Sequence, residues 1–293
     1  MVRAEKNNKL RLKTISKNIW DEFVFGSHLV ALGDVSALYA LSLILRINTT
    51  LSFFIVVYLS ILAINFFNRY KEADEDIINN SERFNSVNKY FKFMPQIMAG
   101  LFFVSVGITA FFAPFNALIF MLFLFSLGIL YTVFLKKVTK KIIGFKNIMT
   151  ALPYGLLVIF LSIFYSVPIT LSTILITVFY FIRMFINTSF FDIKDIESDK
   201  KEGLRTFAVV FGENKTKLFL LALNFLSVVP IIIGIHLGIL PIYSMIILIT
   251  VFYALLYLGK WKLFERPTIL YNVVVDGELI FWLPYLLIGI ILL

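Results

Sequence analysis

The sequence contains no cysteine and only two histidines, His28 and His236. The lack of cysteine excludes disulfides, thiolate catalysis and cysteine-ligated zinc, and two histidines so far apart do not suggest a histidine-based metal site. Charged residues are also scarce, at 15% of 293 residues where an ordinary globular chain has about 25%. Hydrophobic residues make up 60% of the chain. This composition excludes an ordinary soluble protein and indicates a membrane protein.

Long apolar runs account for most of the chain. A membrane-spanning helix needs roughly 20 apolar residues. The runs that meet this requirement lie at about 23–45, 50–67, 93–113, 116–134, 147–166, 169–190, 216–236, 239–258 and 271–292. They are continuously apolar and lack the alternation of barrel strands, so they predict helices. The predicted fold class is an all-α membrane protein with nine transmembrane helices.

Basic residues are distributed unevenly between the connections. The connections after the first, third, fifth and seventh runs contain a single basic residue, Arg46, and no acid. The other connections and the N-terminal segment hold almost all remaining basic residues. Because cytoplasmic loops collect Lys and Arg, we expect a cytoplasmic N-terminus and an outside C-terminus in the cell membrane. The net charge of +9 is then explained by the membrane, without a nucleic-acid partner. Residues 1–22 are predicted to form a basic interfacial segment, followed by one transmembrane domain, 23–293.

Acidic residues concentrate in two short windows. Ten of the 18 acids lie there: Glu72, Asp74, Glu75, Asp76, Glu82, Asp192, Asp195, Glu197, Asp199 and Glu202. The windows follow the second and sixth apolar runs, so helices 1–4 and 5–8 are predicted to form two similar halves, by placement alone. A solvated loop is the simpler interpretation of one such window, but the matched placement of two favours a shared site.

The spacing inside each window predicts a carboxylate face. Asp192, Asp195 and Asp199 are three and four residues apart, which puts them on one side of a helix. Asn68, Glu72 and Asp76 follow each other at intervals of four. Carboxylates grouped in this way repel each other unless a cation lies among them, and Mg²⁺ prefers carboxylate and phosphate oxygens. We therefore predict that the two faces hold a Mg²⁺–diphosphate between them.

The second window and its continuation, DIKDIESDKKEGLRTFAVVFG, resemble the second aspartate-rich motif of the UbiA superfamily of intramembrane prenyltransferases. The matching positions are Asp192, Asp195, Asp199, Lys200, Lys201, Gly203, Thr206 and Gly212. The first window is similar to the family's N-x-x-x-D-x-x-x-D motif, with Glu72 in place of an aspartate. Its matching positions are Asn68, Glu72, Asp76, Asn79, Glu82 and Arg83. The family's tyrosine and basic connection is matched loosely by Tyr131, Lys136, Lys137, Lys146 and Asn147.

The resemblance covers essentially the whole chain and implies a UbiA-like fold of nine helices around a central cavity. It implies Mg²⁺-dependent transfer of an isoprenyl group from a diphosphate, such as geranylgeranyl diphosphate, to a lipid or aromatic acceptor. The implied metal ligands are Glu72, Asp76, Asp192, Asp195 and Asp199. Arg83 and Lys201 would offset the charge of the departing diphosphate, and the ring of Tyr131 would stabilise the allylic cation. The other implied substrate-binding residues are Asn68, Lys136, Lys137, Arg183 and Arg205.

Two other functions fit parts of the sequence. A membrane transporter could use the acidic windows and Asp34, but it predicts ionisable residues at mid-membrane depth, whereas the windows lie at helix ends. A catalytically degenerate, lipid-binding relative is compatible with the altered first motif. Asp34 is predicted to face the cavity, or to pair with Arg183 or His28. For the acceptor, a lipid of archaeal ether-lipid synthesis is our first expectation and an aromatic compound for quinone synthesis the second.

Overall fold

The structure is a computed structural model that describes residues 2–73, 81–260 and 269–293, without the side chains at 2–13, 81, 135, 136 and 260. Within these ranges, eight helices are long and apolar enough to cross a membrane. A ninth is obtained when Thr14–Phe25 and His28–Ile44, bent by 56°, count as one span. Each of the nine predicted runs coincides with one of these segments. The prediction of an all-α, multi-pass membrane protein is confirmed.

The helices follow one another as a bundle with short connections. The α-helices are α1 Val2–Phe25, α2 His28–Ile44, α3 Leu51–Lys71, α4 Ser81–Val87, α5 Met94–Phe112, α6 Phe115–Val133, α7 Phe145–Phe164, α8 Leu171–Lys194, α9 Ile196–Lys201, α10 Phe207–Leu226, α11 Val228–His236, α12 Ile249–Lys260 and α13 Trp282–Leu292. Short 3₁₀ helices cover Asn88–Phe93, Leu135–Lys140, Ile242–Leu248 and Glu278–Phe281, and a π-helix covers Leu270–Val275.

Two predicted boundaries differ from the structure. The first predicted run, 23–45, is divided in the structure between the end of α1 and α2, because Ser27 adopts a left-handed conformation (φ 66°) between these two helices. The end of α1 packs instead into a small core of its own, which contains Val24 and Phe25. The seventh span begins at Phe207 instead of 216, and it bends at Gly212, where φ is 78°. The residues that follow this glycine are polar, so the apolar run begins only at 216 and the first turns of the helix were not predicted.

The connections at the far ends of α2 and α7 are built alike. Each helix ends before a non-glycine residue in the left-handed region, Arg46 (φ 57°) or Ser166 (φ 54°). The next backbone N–H then donates to a serine carbonyl near the helix end, at 2.8 Å in both connections. These pairs are Ile47 with Ser42 and Val167 with Ser162. The two halves therefore share a backbone turn that placement along the chain did not reveal.

The likeness of the halves extends along the following helices. The segment Thr-Leu-Ser opens α3 at 50–52 and α8 at 170–172, an offset of 170 minus 50, or 120 positions. In both segments the threonine and serine hydroxyls lie 2.7 Å apart. The same offset pairs Glu72 with Asp192. The chain thus carries residue-level repetition between its halves, and the repetition brings one acid from each window to the same end of the bundle.

The core lies between the two halves. Helix α7 packs along α8, and α3 packs along α5. The ring of Phe53, fully buried on α3, contacts the rings of Phe160 and Phe164 on α7 at centroid distances of 5.7 and 5.2 Å. The hydroxyl of Tyr165 accepts the Thr50 N–H at 2.7 Å. These contacts fix α3 relative to α7 and so set the distance between the two acidic windows.

Candidate active site

A charged chamber of about 300 Å³ lies at the end of the bundle where α3 and α8 terminate. Its wall contains five acids and four basic residues: Glu72, Asp192, Asp195, Asp199, Asp276, Arg69, Arg83, Lys146 and Lys194. Asn65 and Asn68 of α3, Tyr131 of α6 and Tyr154 of α7 complete the polar part of the wall. The chamber therefore combines side chains from both halves, as the two carboxylate faces predict.

Lys146 forms a bridge inside the second acidic window. Its Nζ lies 2.8 Å from Asp192 Oδ1 and 3.0 Å from Asp199 Oδ1. Asn147 Nδ2 donates to Asp192 Oδ2 at 2.6 Å and to Ser189 Oγ at 2.8 Å. The side chains of Asp192 and Asp199 are buried, with exposed fractions of 5% and 7%. An ammonium thus occupies the space between two carboxylates that would otherwise repel each other.

The backbone around Gly144 positions Lys146. Gly144 has φ 70°, and a Cβ there would lie 2.2 Å from the ring of Phe207, so only glycine fits. The Gly144 N–H donates to the carbonyl of Arg205 at 2.9 Å, and the Arg205 N–H donates to the carbonyl of Thr139 at 3.0 Å. The segment after α9 is thereby tied to the start of α7. This connection places Lys146 next to Asp192 and Asp199.

Negative charge in the chamber is only partly compensated. Burial raises the pKa of Asp195 and that of Asp199, although the Lys146 ammonium opposes both shifts. Asp195 Oδ1 is buried and has no hydrogen-bond partner among the described residues. Burying a carboxylate oxygen without a partner is costly, so this oxygen is suited to bind a cation from solution.

The carboxylate oxygens of the chamber are suited to bind a Mg²⁺ ion that is also coordinated by a substrate phosphate. Among the described residues, no three His, Cys, Asp or Glu side chains are grouped closely enough to hold a metal ion by themselves. Mg²⁺ seldom needs such a group, because it retains waters and usually takes one or two carboxylates together with phosphate oxygens. The unpaired oxygen of Asp195 and the chamber-lining Glu72 are donors of this type. They fit a shared metal–phosphate complex better than an all-protein metal site.

An apolar cavity of about 250 Å³ adjoins the chamber, between α3, α6, α7 and α8. Most of its wall is aliphatic or aromatic, including Val57, Met121, Phe125, Leu157 and Phe160. Six residues line both spaces: Asn65, Asn68, Tyr131, Thr150, Tyr154 and Thr188. A ligand with a charged head and an apolar tail can therefore occupy both spaces at once, with its junction beside the tyrosines.

Comparison with known proteins agrees with this arrangement. The UbiA prenyltransferase family model matches residues 29–289. The chain belongs to the UbiA prenyltransferase family. A comparison with curated protein sequences finds no match.

Solved structures of UbiA homologues share the fold. The apo structure of a homologue from Aeropyrum pernix K1 has a TM-score of 0.68 at 14% identity, over 89% of this chain and 96% of that one. A homologue from Archaeoglobus fulgidus, bound to DMAPP and Mg²⁺, has a TM-score of 0.65 at 15% identity, over 93% and 100%. A digeranylgeranylglyceryl phosphate synthase has a TM-score of 0.59 at 17% identity, over 94% and 98%.

The structure brings seven of the predicted site residues to the chamber: Asn68, Glu72, Arg83, Tyr131, Asp192, Asp195 and Asp199. Asn68 accepts a hydrogen bond from Thr132 at 2.8 Å. Asp76 lies outside the described residues, as does the side chain of Lys136. Three other basic residues are exposed and do not line the chamber: Lys137, Lys201 and Arg205. Arg205 donates instead to the Lys141 carbonyl at 3.2 Å.

Arg183 and Asp34 lie deeper in the bundle, away from the walls of both spaces. The guanidinium of Arg183 is fully buried, where it is paired with Glu278 and donates to Asn224 and to the Thr250 carbonyl. Tyr257 donates to the second oxygen of Glu278 at 2.7 Å. Arg183 thus ties α8 to three neighbouring segments.

Asp34 pairs with neither Arg183 nor His28; its Oδ1 accepts a hydrogen bond from the Tyr180 hydroxyl at 2.5 Å.

The sequence predicted no role for four of the nine charged residues that line the chamber: Arg69, Lys146, Lys194 and Asp276. In the sequence, Lys146 appears only in the loose match to the family's basic connection. Its distance along the chain from Asp192 and Asp199 does not indicate that it bridges them. Asp276 carries a stronger signal. It is the first acid inside the last apolar run, and an ionisable residue within a span is a functional hypothesis by default.

Proposed function

We propose that the protein is a Mg²⁺-dependent prenyltransferase that moves an isoprenyl group from its diphosphate to a lipid or aromatic acceptor. The observation that carries this proposal is the junction of the charged chamber with the apolar cavity, which share six wall residues. A diphosphate needs cations and polar donors, and an isoprenyl chain needs apolar surface. The two spaces supply these environments side by side, in a family named for prenyl transfer.

Each wall of the chamber has a role in the proposed reaction. Asp192, Asp195 and Asp199 of the second acidic window would hold Mg²⁺ together with Glu72 and Asp76 of the first window; Glu72 lines the chamber, and Asp76 lies outside the described residues. When bound, the metal would offset the negative charge that develops on the departing diphosphate. Arg83 lines the same chamber and would bind a phosphate oxygen there. Asn68 would donate to the diphosphate from α3.

Tyr131 lies at the junction of the two spaces, beside which we propose that the reacting carbon binds. It is 9% exposed and lines both the chamber and the apolar cavity. When the diphosphate leaves, the first carbon of the isoprenyl chain becomes an allylic cation. The face of an aromatic ring attracts a cation, more strongly where water is absent. The buried ring of Tyr131 would therefore stabilise this cation and shield it from solvent.

Relatives support the substrate class. Homologues from Archaeoglobus fulgidus have been solved with DMAPP and with GPP, each with Mg²⁺. Among the similar structures is a digeranylgeranylglyceryl phosphate synthase. We propose a long isoprenyl donor such as geranylgeranyl diphosphate, an alcohol acceptor as first choice and an aromatic one as second. We also propose that the chamber faces the cytoplasm, with the N-terminal segment at the interface and the C-terminus outside.

The test is a transfer assay with purified protein. Labelled geranylgeranyl diphosphate is incubated with the protein and a lipid extract, first with Mg²⁺ and then with a chelator. We expect an apolar labelled product that requires Mg²⁺, and its mass identifies the acceptor. A folded protein that gives no product with several donor lengths and acceptors would contradict the proposal. Binding of the donor without transfer would indicate a degenerate, lipid-binding relative.

A further inference from the structure

Asp276 is a chamber-lining carboxylate that the proposed donor site does not use. It belongs to neither acidic window, and its carboxylate forms no hydrogen bond and no ion pair with any described residue, although its backbone N–H donates to the Tyr271 carbonyl at 3.3 Å. It interacts electrostatically with Lys194, Arg83 and Arg69 across the chamber. A carboxylate inside a span without a bonded partner is costly to maintain. Its position therefore points to a ligand group that the protein itself does not provide.

The backbone that carries Asp276 is fixed from two sides. Asn187 of α8 donates to the carbonyl of Val275 at 3.0 Å. Ser36 of α2 donates to the carbonyl of Ile280 at 2.8 Å. A Cβ on Gly33 would lie only 3.2 Å from Leu279, so α2 lies close against this segment. A side chain held on so rigid a support can be aimed at a reacting group.

Two further polar side chains, each with an atom that lacks a hydrogen-bond partner, interact electrostatically with Asp276. The hydroxyl of Tyr154, at the junction of the two spaces, has no hydrogen-bond partner among the described residues. Asp34 is fully buried, and its Oδ2 is likewise without a partner in the described ranges. Tyr154 interacts electrostatically with both Asp34 and Asp276. Tyr154 and Asp276 thus line the chamber together, and the Asp34 carboxylate, outside the chamber wall, interacts electrostatically with both.

We propose that Tyr154 and Asp276 bind the hydroxyl group of the acceptor, and that Asp276 accepts its proton. The inference rests on the proposed prenyltransferase function and assigns the acceptor to the class of alcohols. The carbon–oxygen bond to the diphosphate breaks, and its electron pair leaves with the diphosphate. The acceptor oxygen forms a new bond to the same carbon, and the hydroxyl proton moves to the Asp276 carboxylate. Asp34 is a positioning residue, which attracts the Tyr154 hydroxyl from deeper in the bundle.

The experiment separates acceptor chemistry from donor binding. Transfer from geranylgeranyl diphosphate to geranylgeranylglyceryl phosphate, which offers an alcohol, is compared between wild type and Asp276→Asn. The rise in melting temperature caused by donor plus Mg²⁺ is measured in parallel. We expect transfer to fall by about 10²–10⁴-fold, the range for loss of a general base, while the donor-induced rise is retained. Exogenous formate should restore part of the transfer in Asp276→Ala.

Tyr154→Phe and Asp34→Asn test the other members of the cluster. Each should raise the KM for the alcohol by about tenfold, which corresponds to one hydrogen bond, with a smaller change in kcat. Tyr253→Phe is the matched control, since the Tyr253 hydroxyl donates to the Val274 carbonyl at 2.8 Å outside the chamber. It should leave the KM unchanged.

Three results would overturn the inference. Asp276→Asn could transfer at the wild-type rate, or it could lose the donor-induced rise in melting temperature as a donor-site variant does. Wild type could also prenylate only the ring carbon of a hydroxybenzoate and never the alcohol. Failure of the proposed function itself is distinguishable, because wild type would then show neither donor-induced stabilisation nor release of diphosphate.

Discussion

The two halves of the bundle begin alike and end differently. Helices α3 and α8 both start with Thr-Leu-Ser after a left-handed turn, 120 positions apart. At the chamber end, α3 stops at Lys71, so that Glu72 caps it, whereas α8 continues to Lys194 and buries Asp192. The first half thus presents its acid from a helix end, and the second half holds its acids inside the protein around Lys146. The difference indicates that the second half forms the rigid wall of the site.

The largest effect is expected from the acids of the second half. Asp195→Asn removes the negative charge of a carboxylate whose Oδ1 has no partner among the described residues, and we expect prenyl transfer to fall by about 10³-fold, as when one preorganised electrostatic contact is lost. Asp76→Asn, in the first half, should likewise abolish transfer while the protein stays folded. Lys201→Ala is the control, because Lys201 is exposed and does not line the chamber. Full activity of Asp195→Asn would disprove a metal site shared between the halves.

Removing the buried ion pair should reduce stability more than function. Arg183→Met leaves Glu278 buried and unpaired, which typically costs about 3–5 kcal/mol. We expect a large fall in the melting temperature in detergent, with unchanged donor affinity in the folded fraction, because Arg183 lies away from both spaces. The double variant Arg183→Met with Glu278→Gln should recover part of the loss. A selective loss of donor binding at unchanged stability would place Arg183 in the site after all.

Lys146 is the residue that ties the acids of the second half together, because its ammonium bridges Asp192 and Asp199. Lys146→Met should lower the metal-free stability by about 1–3 kcal/mol, because two buried carboxylates lose their donor. Mg²⁺ should then raise the melting temperature by more than it does in wild type. Lys217→Met is a matched control, as Lys217 pairs with Glu213 at 2.7 Å on α10. Equal Mg²⁺ responses in wild type and Lys146→Met would show that Lys146 and the metal do not compete.

The smallest effect is expected where the halves meet at the far end. Tyr165→Phe removes a hydroxyl that accepts the Thr50 N–H at 2.7 Å. Because the site is partly exposed to solvent, the loss should be about 1 kcal/mol, the net value of one hydrogen bond. Thermal unfolding would measure it, and transfer activity should not change. A strong loss of activity would show that the far turn controls the distance between the acidic windows.

Local patterns in the sequence were sufficient for the spans. In lipid every backbone N–H and C=O of a continuously apolar run needs a partner within the protein, so the nine apolar runs predicted helical spans directly. The three- and four-residue spacing of Asp192, Asp195 and Asp199 predicted one side of a single helix, but α8 ends at Lys194 and α9 begins at Ile196, so the three carboxylates reach the chamber across a helix break. Polar stretches hid the start of α10, where a helix continues across a bend at Gly212.

Contacts between distant segments were decided by the tertiary structure alone. Lys146 reaches Asp192 and Asp199 because the backbone of Arg205 bonds to Gly144, and no spacing in the sequence encodes that approach. Arg183 lies in the apolar run that precedes the second acidic window, yet its side chain pairs with Glu278, 95 positions away. Asp276 meets the chamber from the last span. A sequence determines which side of a helix a residue occupies, whereas the packing of helices determines what that side faces.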